Sequence, residues 1–138
     1  MHQATVIGLH GRARAGKDTV ANFILAHRGG YIYSFADPIR KMLVPLGIDM
    51  SDPYWQARKE QVIPALGASP RRLMQTLGTE WGRQLINPDL WLILAKQLLL
   101  NYGPGMVIAD VRFENEAAWV REQGGRVIHI ERPDNAAI

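Results

Sequence analysis

Residues 11–17, Gly-Arg-Ala-Arg-Ala-Gly-Lys, satisfy the pattern G-x-x-x-x-G-K, and no other stretch of this chain restricts its fold as sharply. The pattern carries chemistry only where a strand runs into it and a helix runs out of it. Both are predicted. TVIGL over residues 5–9 is a short apolar run, and KDTVANFILAHR places Val20, Phe23, Ile24 and His27 on one apolar face at three- and four-residue spacing. In that setting backbone N–H groups curl around a β-phosphate, the positive end of the helix faces the anion, and the Lys17 ammonium reaches the β- and γ-phosphates. The expected nucleotide contacts are therefore Gly11, Arg14, Ala15, Gly16, Lys17, Asp18 and Thr19.

The residue after Lys17 is Asp18, where the usual pattern has a serine or threonine. A carboxylate there can hold Mg²⁺ directly or through water, and the metal's charge offsets the repulsion between carboxylate and triphosphate. The alternative is that Asp18 only stabilises the helix N-terminus through its dipole. Thr19 is placed to donate to the α- or β-phosphate.

Beyond the loop, YIYSF (31–35), MVIA (106–109) and RVIHI (126–130) read as three further strands. Asp37-Pro38 and Asn87-Pro88 read as cap-plus-proline helix starts, and Ser69-Pro70 opens RRLMQTLGTEWGRQL, whose continuity Gly78 and Gly82 put in question. DLWLILAKQLLLNY is apolar enough to expect protein on nearly every side. Residues 46–68, interrupted by Gly47, Pro53, Pro64 and Gly67, read as an irregular excursion or lid over the ligand edge, and not as core. Strands alternating with helices imply a mostly parallel sheet covered on both faces, a three-layer α/β/α fold around a single core. Ligands of such sheets bind beyond the C-terminal strand ends, where Gly11–Thr19, Asp37, Asp110–Arg112 and the Glu131-Arg132 turn are expected to meet. The chain stops soon after its fourth strand, so a last strand and helix are expected to be missing from this 138-residue sequence.

Composition narrows the chemistry. There is no cysteine, which excludes disulfides, thiolate metal sites and thiol catalysis and favours a reducing cytoplasm. No apolar run is long enough to span a membrane. Twelve of the sixteen basic residues are arginine, whose rigid fork of donors suits phosphate oxygens, while interspersed acidic residues argue against a nucleic-acid stripe. The four histidines show no ligand spacing, and no G-x-S-x-G is present. Phosphoryl transfer needs positioning and charge neutralisation more than a strong base. Arg72 and Arg83, eleven apart, fall three turns apart on one α-helical face, and Asp110 ends an apolar strand as a Walker B carboxylate does, with Arg112 two residues on.

Together GRARAGKDTVANF (11–23), FADPIRKML (35–43), RRLMQTLGTEWGR (71–83), DLW (89–91) and DVRFENEA (110–117) resemble the deoxynucleoside monophosphate kinases of tailed bacteriophages, a branch of the P-loop nucleoside monophosphate kinases. The resemblance spans nearly the whole chain, and Asp after the loop lysine is a feature of that branch. It implies ATP and Mg²⁺ on Gly11–Thr19, with Asp18 and Asp110 at the metal. It implies Asp37 and Arg40 beside the acceptor deoxynucleotide, Arg72 and Arg83 on its phosphate and the reaction centre, and Asp110, Arg112, Glu114 and Asn115 along the pocket wall. Lys17, Arg72, Arg83 and Arg112 would act on the transferred group, giving dNDP and ADP in the host cytoplasm if the chain is phage-encoded. A homodimer is left open. The competing expectations are another small-molecule P-loop kinase, resembling dephospho-coenzyme A kinase or phosphomevalonate kinase, a nucleic-acid-dependent ATPase, or a nucleotide-binding module without catalysis.

Overall fold

The computed structural model describes residues 6–12 and 16–131. Four strands, β1 (Val6–His10), β2 (Tyr31–Tyr33), β3 (Met106–Ile108) and β4 (Arg126–His129), form one sheet in the order β2-β3-β1-β4, with every pairing parallel. Thr5, expected to open the first strand, lies outside the described residues.

The alternation of side chains along β1 builds the layers. Ile7 and Leu9 face helix α1 (Lys17–Arg28), where Val20, Ala21, Ile24 and Leu25 join Leu9 and Val107 in one apolar cluster. Gly8 points the other way, toward Val120 of helix α6 (Glu114–Glu122) and toward Val111 and Val127. Helices on both faces of a parallel sheet make the three-layer α/β fold. Two residues of the expected apolar face do not join it: Phe23 is 61% exposed and stacks on His27, with ring centroids 4.1 Å apart. Ala21 and Leu25 take their place on the inner face, where a smaller residue lets the helix approach the sheet.

The chain divides into two compact units, one made of the chain up to Phe35 together with that from Leu94, the other of Ala36–Ile93. Length alone suggested a single core, but the second unit has its own. Leu43, Ile48 and Met50 are buried there, with Trp55, Ile63, Leu73, Met74 and Leu77 packed around them. Residues 46–68 therefore supply core, contrary to the expectation of a purely peripheral excursion. They include helix α3 (Pro53–Gln56) and a bridge between Ile63 and Ala68.

Helix starts follow the capping chemistry in part. Ser69 caps helix α4 (Pro70–Gln75) by accepting from Arg72 N at 3.1 Å. Asp37 is not a cap: Ala36 occupies that position, and Asp37 is the first residue of helix α2 (Asp37–Met42), followed by a 3₁₀ turn at Val44–Leu46 around Pro45. Asn87 accepts from Asp89 N at 2.8 Å ahead of helix α5 (Leu90–Tyr102). This helix is less enclosed than expected: Trp91, Leu92 and Ala95 are buried, whereas Leu100 is 85% exposed and Tyr102 70%. Among the described residues no helix is long and apolar enough to cross a membrane.

Gly78 and Gly82 do not break the helix that follows Ser69; they accompany a change in its winding. From Thr76 to Ile86 the backbone is π-helical, with Asn87 N bonded to Gly82 O at 2.9 Å, an i→i+5 link. A Cβ on Gly82 would sit 2.6 Å from Trp91 Cζ2, and the Trp91 indole N–H donates to Gly78 O at 2.8 Å. The two helices thus meet through glycine backbone and one buried indole.

Two stability predictions arise here. Gly82→Ala meets a rigid ring and should destabilise by about 1–3 kcal/mol despite alanine's better helix propensity. Gly78→Ala comes closest to the terminal Cδ1 of Ile39, at 2.9 Å, the far end of a side chain that can turn aside, and should cost less; urea melts of the two variants should preserve that order. Glu116, 3% exposed, accepts from Arg112 N at 2.9 Å and Phe113 N at 3.0 Å at the start of α6. Glu116→Ala should lower stability by about 1–3 kcal/mol in the same measurement, and Glu116→Gln by less, because an amide oxygen still accepts.

Candidate nucleotide-binding site

The end of β1 is held on both sides before the chain turns into the glycine-rich loop. Val111 N donates to Leu9 O at 3.0 Å, and Ile130 N donates to His10 O at 2.7 Å. Gly11 follows so close to β4 that a Cβ on it would lie 2.5 Å from Ile130 O. Its glycine is thus a packing requirement as well as an opening for a ligand. At the far end of the loop Gly16 adopts φ +99°, a left-handed conformation that a side chain disfavours, and begins α1. Arg14 and Ala15 lie outside the described residues.

The Lys17 ammonium is half-buried and donates to Gly11 O at 2.9 Å, reaching across the loop mouth. Gly16 offers no side chain to cap α1, a helix of 12 residues. Its first N–H groups therefore have no side-chain acceptor among the described residues, and the dipole adds positive potential where Lys17 adds a full charge. Asp18 and Thr19 occupy the first turn and are exposed. This combination suits a polyanion.

Asp110 leaves β3 at the same end of the sheet. Its Oδ1 accepts from Phe35 N at 2.8 Å, so this carboxylate also ties the exit of β2 to that of β3. Arg112 is exposed two residues on. Glu114, expected on the pocket wall, forms an exposed ion pair with Arg121 at 3.1 Å along α6, a contact of small energetic weight. Asn115 is exposed in the first turn of the same helix. The residue that organises this turn is one the sequence reading passed over. Phe113 at the N-cap has no side-chain acceptor, so Glu116 makes both capping bonds from within the helix. A glutamate three residues after the cap was half of a recognisable signature, without the serine or threonine that completes it.

The remaining expected residues belong to the second unit. There Asp37 Oδ1 accepts from Arg40 Nη1 at 2.8 Å, which orients the guanidinium. The pair lines a pocket of about 440 Å³ together with Lys41, Met50, Ser51 and Gln56. That volume is within the range of small-ligand sites. At its rim Ser51 donates both its hydroxyl, at 2.6 Å, and its N–H, at 3.0 Å, to Asp49, holding that carboxyl below its ordinary range. Arg72 is exposed on α4, and Arg83 donates to Gly78 O at 3.3 Å on its own helix. Much of the helix between them is π-wound. An i→i+5 winding takes more residues per turn than 3.6, so eleven positions no longer complete three turns.

The histidines, unremarkable in the sequence, pair in the fold. His10 and His129 are register partners across β1 and β4, and their Nδ1 atoms lie 2.9 Å apart. Among the described residues no group of three or more His, Asp or Glu side chains is placed to hold a metal ion.

Comparison with known proteins gives the family. The family profile described as "Deoxynucleotide monophosphate kinase" matches residues 59–138. A protein of Acanthamoeba polyphaga mimivirus, provisionally named a deoxynucleotide monophosphate kinase, is 31% identical over 96% of this chain and 76% of its own length. The deoxynucleoside-5'-monophosphate kinase of Escherichia phage T5 is 29% identical over 86% of this chain and 72% of its own. These relationships support phosphotransfer to a small molecule by a P-loop kinase. On this evidence the chain belongs to the deoxynucleotide monophosphate kinase family.

Proposed function

We propose that this protein transfers the γ-phosphoryl group of ATP to a deoxynucleoside 5′-monophosphate, giving dNDP and ADP. The observation that carries the proposal is the Lys17 ammonium, set on Gly11 O at 2.9 Å beside a helix N-terminus without a side-chain cap. Exchange of that carbonyl for β- and γ-phosphate oxygens keeps the lysine in a polar contact while adding charge complementarity. The acceptor's 5′-phosphate oxygen attacks the γ-phosphorus in line and ADP leaves, with no covalent enzyme intermediate.

In this reading Asp18 and Asp110 hold Mg²⁺. The residues fit the ion. Asp18 is an exposed carboxylate in the first turn of α1, and Asp110 Oδ1 is already committed to Phe35 N, which suits a water-mediated contact more than a direct one. Mg²⁺, when bound, neutralises charge on the β- and γ-phosphates. Arg72, Arg83 and Arg112 neutralise the transferred group and the acceptor phosphate. Asp37 and Arg40, with the pocket they line, receive the acceptor, and Glu114 and Asn115 are assigned to substrate contacts as well. Residues 46–68 form the acceptor-side wall, lining the pocket through Met50, Ser51 and Gln56 while Ile48 and Ile63 stay in the core of the second unit. Arginine closure over the two substrates excludes the water that would otherwise hydrolyse ATP.

The test is a coupled ADP-release assay with ATP, Mg²⁺ and each of the four common dNMPs. Turnover with at least one of them is expected. Lys17→Ala should reduce kcat by about 10²–10³ or more, the scale of a lost electrostatic contact to the transition state. Asp37→Asn, which loosens Arg40, should chiefly raise KM for the acceptor and leave KM for ATP near that of the parent. Absence of phosphorylation of every dNMP, or ATP hydrolysis that only DNA stimulates, would overturn the reading.

A further inference from the structure

The proposal above does not use the histidine pair at the mouth of the phosphate loop. His10 and His129 stand opposite one another on adjacent parallel strands, so the backbone register brings their side chains together. The ring centroids are 5.0 Å apart, tilted by 34°, and Nδ1 faces Nδ1 at 2.9 Å. Two imidazole Nδ1 atoms at that distance share one proton, and one of them presents its lone pair.

The neighbouring carboxylate indicates which one. Glu131 Oε1 lies 3.6 Å from His129 Nε2, too far for a hydrogen bond but close enough for its charge to favour a proton on that nitrogen. With a proton on Nε2 of His129, its Nδ1 is the acceptor and His10 the donor. A carboxylate behind the distal nitrogen of an imidazole is also the arrangement that orients and strengthens metal-binding histidines. Both rings reach solvent, with the His129 side chain 54% exposed, so an ion has an entry path and water can complete its coordination.

We infer that His10 and His129 form a two-imidazole chelate for a late first-row divalent ion that prefers tetragonal geometry, with Cu²⁺ the best fit and Ni²⁺ next. The distance selects the geometry. At metal–nitrogen bonds of about 2.0 Å, nitrogens ~90° apart at a tetragonal centre are separated by ~2.8 Å, and those of a tetrahedral centre by ~3.3 Å. The observed 2.9 Å is nearer the first, and Cu²⁺ also leads Zn²⁺ in the general affinity order for nitrogen ligands. On binding, the ion takes the place of the shared proton, and the imidazole that gives up its Nδ1 proton takes one up on Nε2, so both rings stay neutral and no net proton is released. The coordinated pair cross-links β1 and β4 one residue before Gly11.

Calorimetric titration of Cu²⁺, Ni²⁺ and Zn²⁺ into the full chain tests this, with His2→Ala as the common background to remove a competing ligand near the amino terminus. One Cu²⁺ per chain is expected, bound more tightly than Ni²⁺ or Zn²⁺, with two imidazole nitrogens in the pulsed electron paramagnetic resonance spectrum. His10→Ala and His129→Ala should each weaken binding at least tenfold and leave a single imidazole signal. Glu131→Gln should weaken it a fewfold, and His27→Ala should not change it. Circular dichroism checks the fold, and His129→Gln stands in should His129→Ala prove unstable. Parent-like affinity in either histidine variant, tighter binding of Zn²⁺ than of Cu²⁺, one imidazole in the parent spectrum, or no binding by the parent would each overturn the assignment.

Discussion

Two backbone hydrogen bonds at the end of β1, from Val111 N to Leu9 O and from Ile130 N to His10 O, are the constraint on which the loop region depends. They hold the strand between β3 and β4 up to its last residue, so the chain enters the phosphate loop from a fixed position. The same closeness leaves no room for a Cβ at Gly11. A site built from the ends of ordered strands holds its groups more closely than one carried on free loops. Asp110 extends this logic sideways: by accepting from Phe35 N it ties the exits of β2 and β3 together.

Two helices of the first unit begin after β1 and β3, and the same electrostatics has opposite outcomes in them. The N-terminus of α6 is closed by a carboxylate of its own, Glu116, buried and bonded to two backbone N–H groups. The N-terminus of α1 begins at a glycine that offers no such group, with a lysine close by. A helix end satisfied from within has little left for an external anion, whereas one without a side-chain cap retains both its donors and its dipole. The contrast favours α1 over α6 as the seat of an exogenous polyanion.

In the second unit, glycine serves packing. The change from α to π winding after Gln75 coincides with Gly78 and Gly82, where Trp91 comes up against the backbone and donates to Gly78 O. Wider winding moves every residue beyond it around the helix axis. Arg83, beyond the change, donates to the Gly78 carbonyl of its own helix. π-Helical segments often accompany functional sites, where they re-aim a side chain at the expense of regular hydrogen bonding.

Much of this organisation was legible in the residues alone. Strand runs, the strand and helix that flank the G-x-x-x-x-G-K pattern, the Ser69 cap and the parallel α/β class are local signals, set by side-chain alternation, by glycine's tolerance of φ above zero and by short-range hydrogen bonding. What escaped the sequence was decided by contacts between distant segments. Phe23 faces outward because Ala21 and Leu25 fit the inner face better. The winding after Gln75 answers to Trp91, residues 46–68 form a core because Leu73 and Leu77 return to them, and Glu116 bonds to a turn only a folded strand exit creates. His10 and His129 are 119 residues apart in the chain and 2.9 Å apart at their Nδ1 atoms, because β4 chose β1 as its neighbour. Local chemistry is written in neighbouring residues, whereas the pairing of strands depends on how the whole sheet buries its apolar faces.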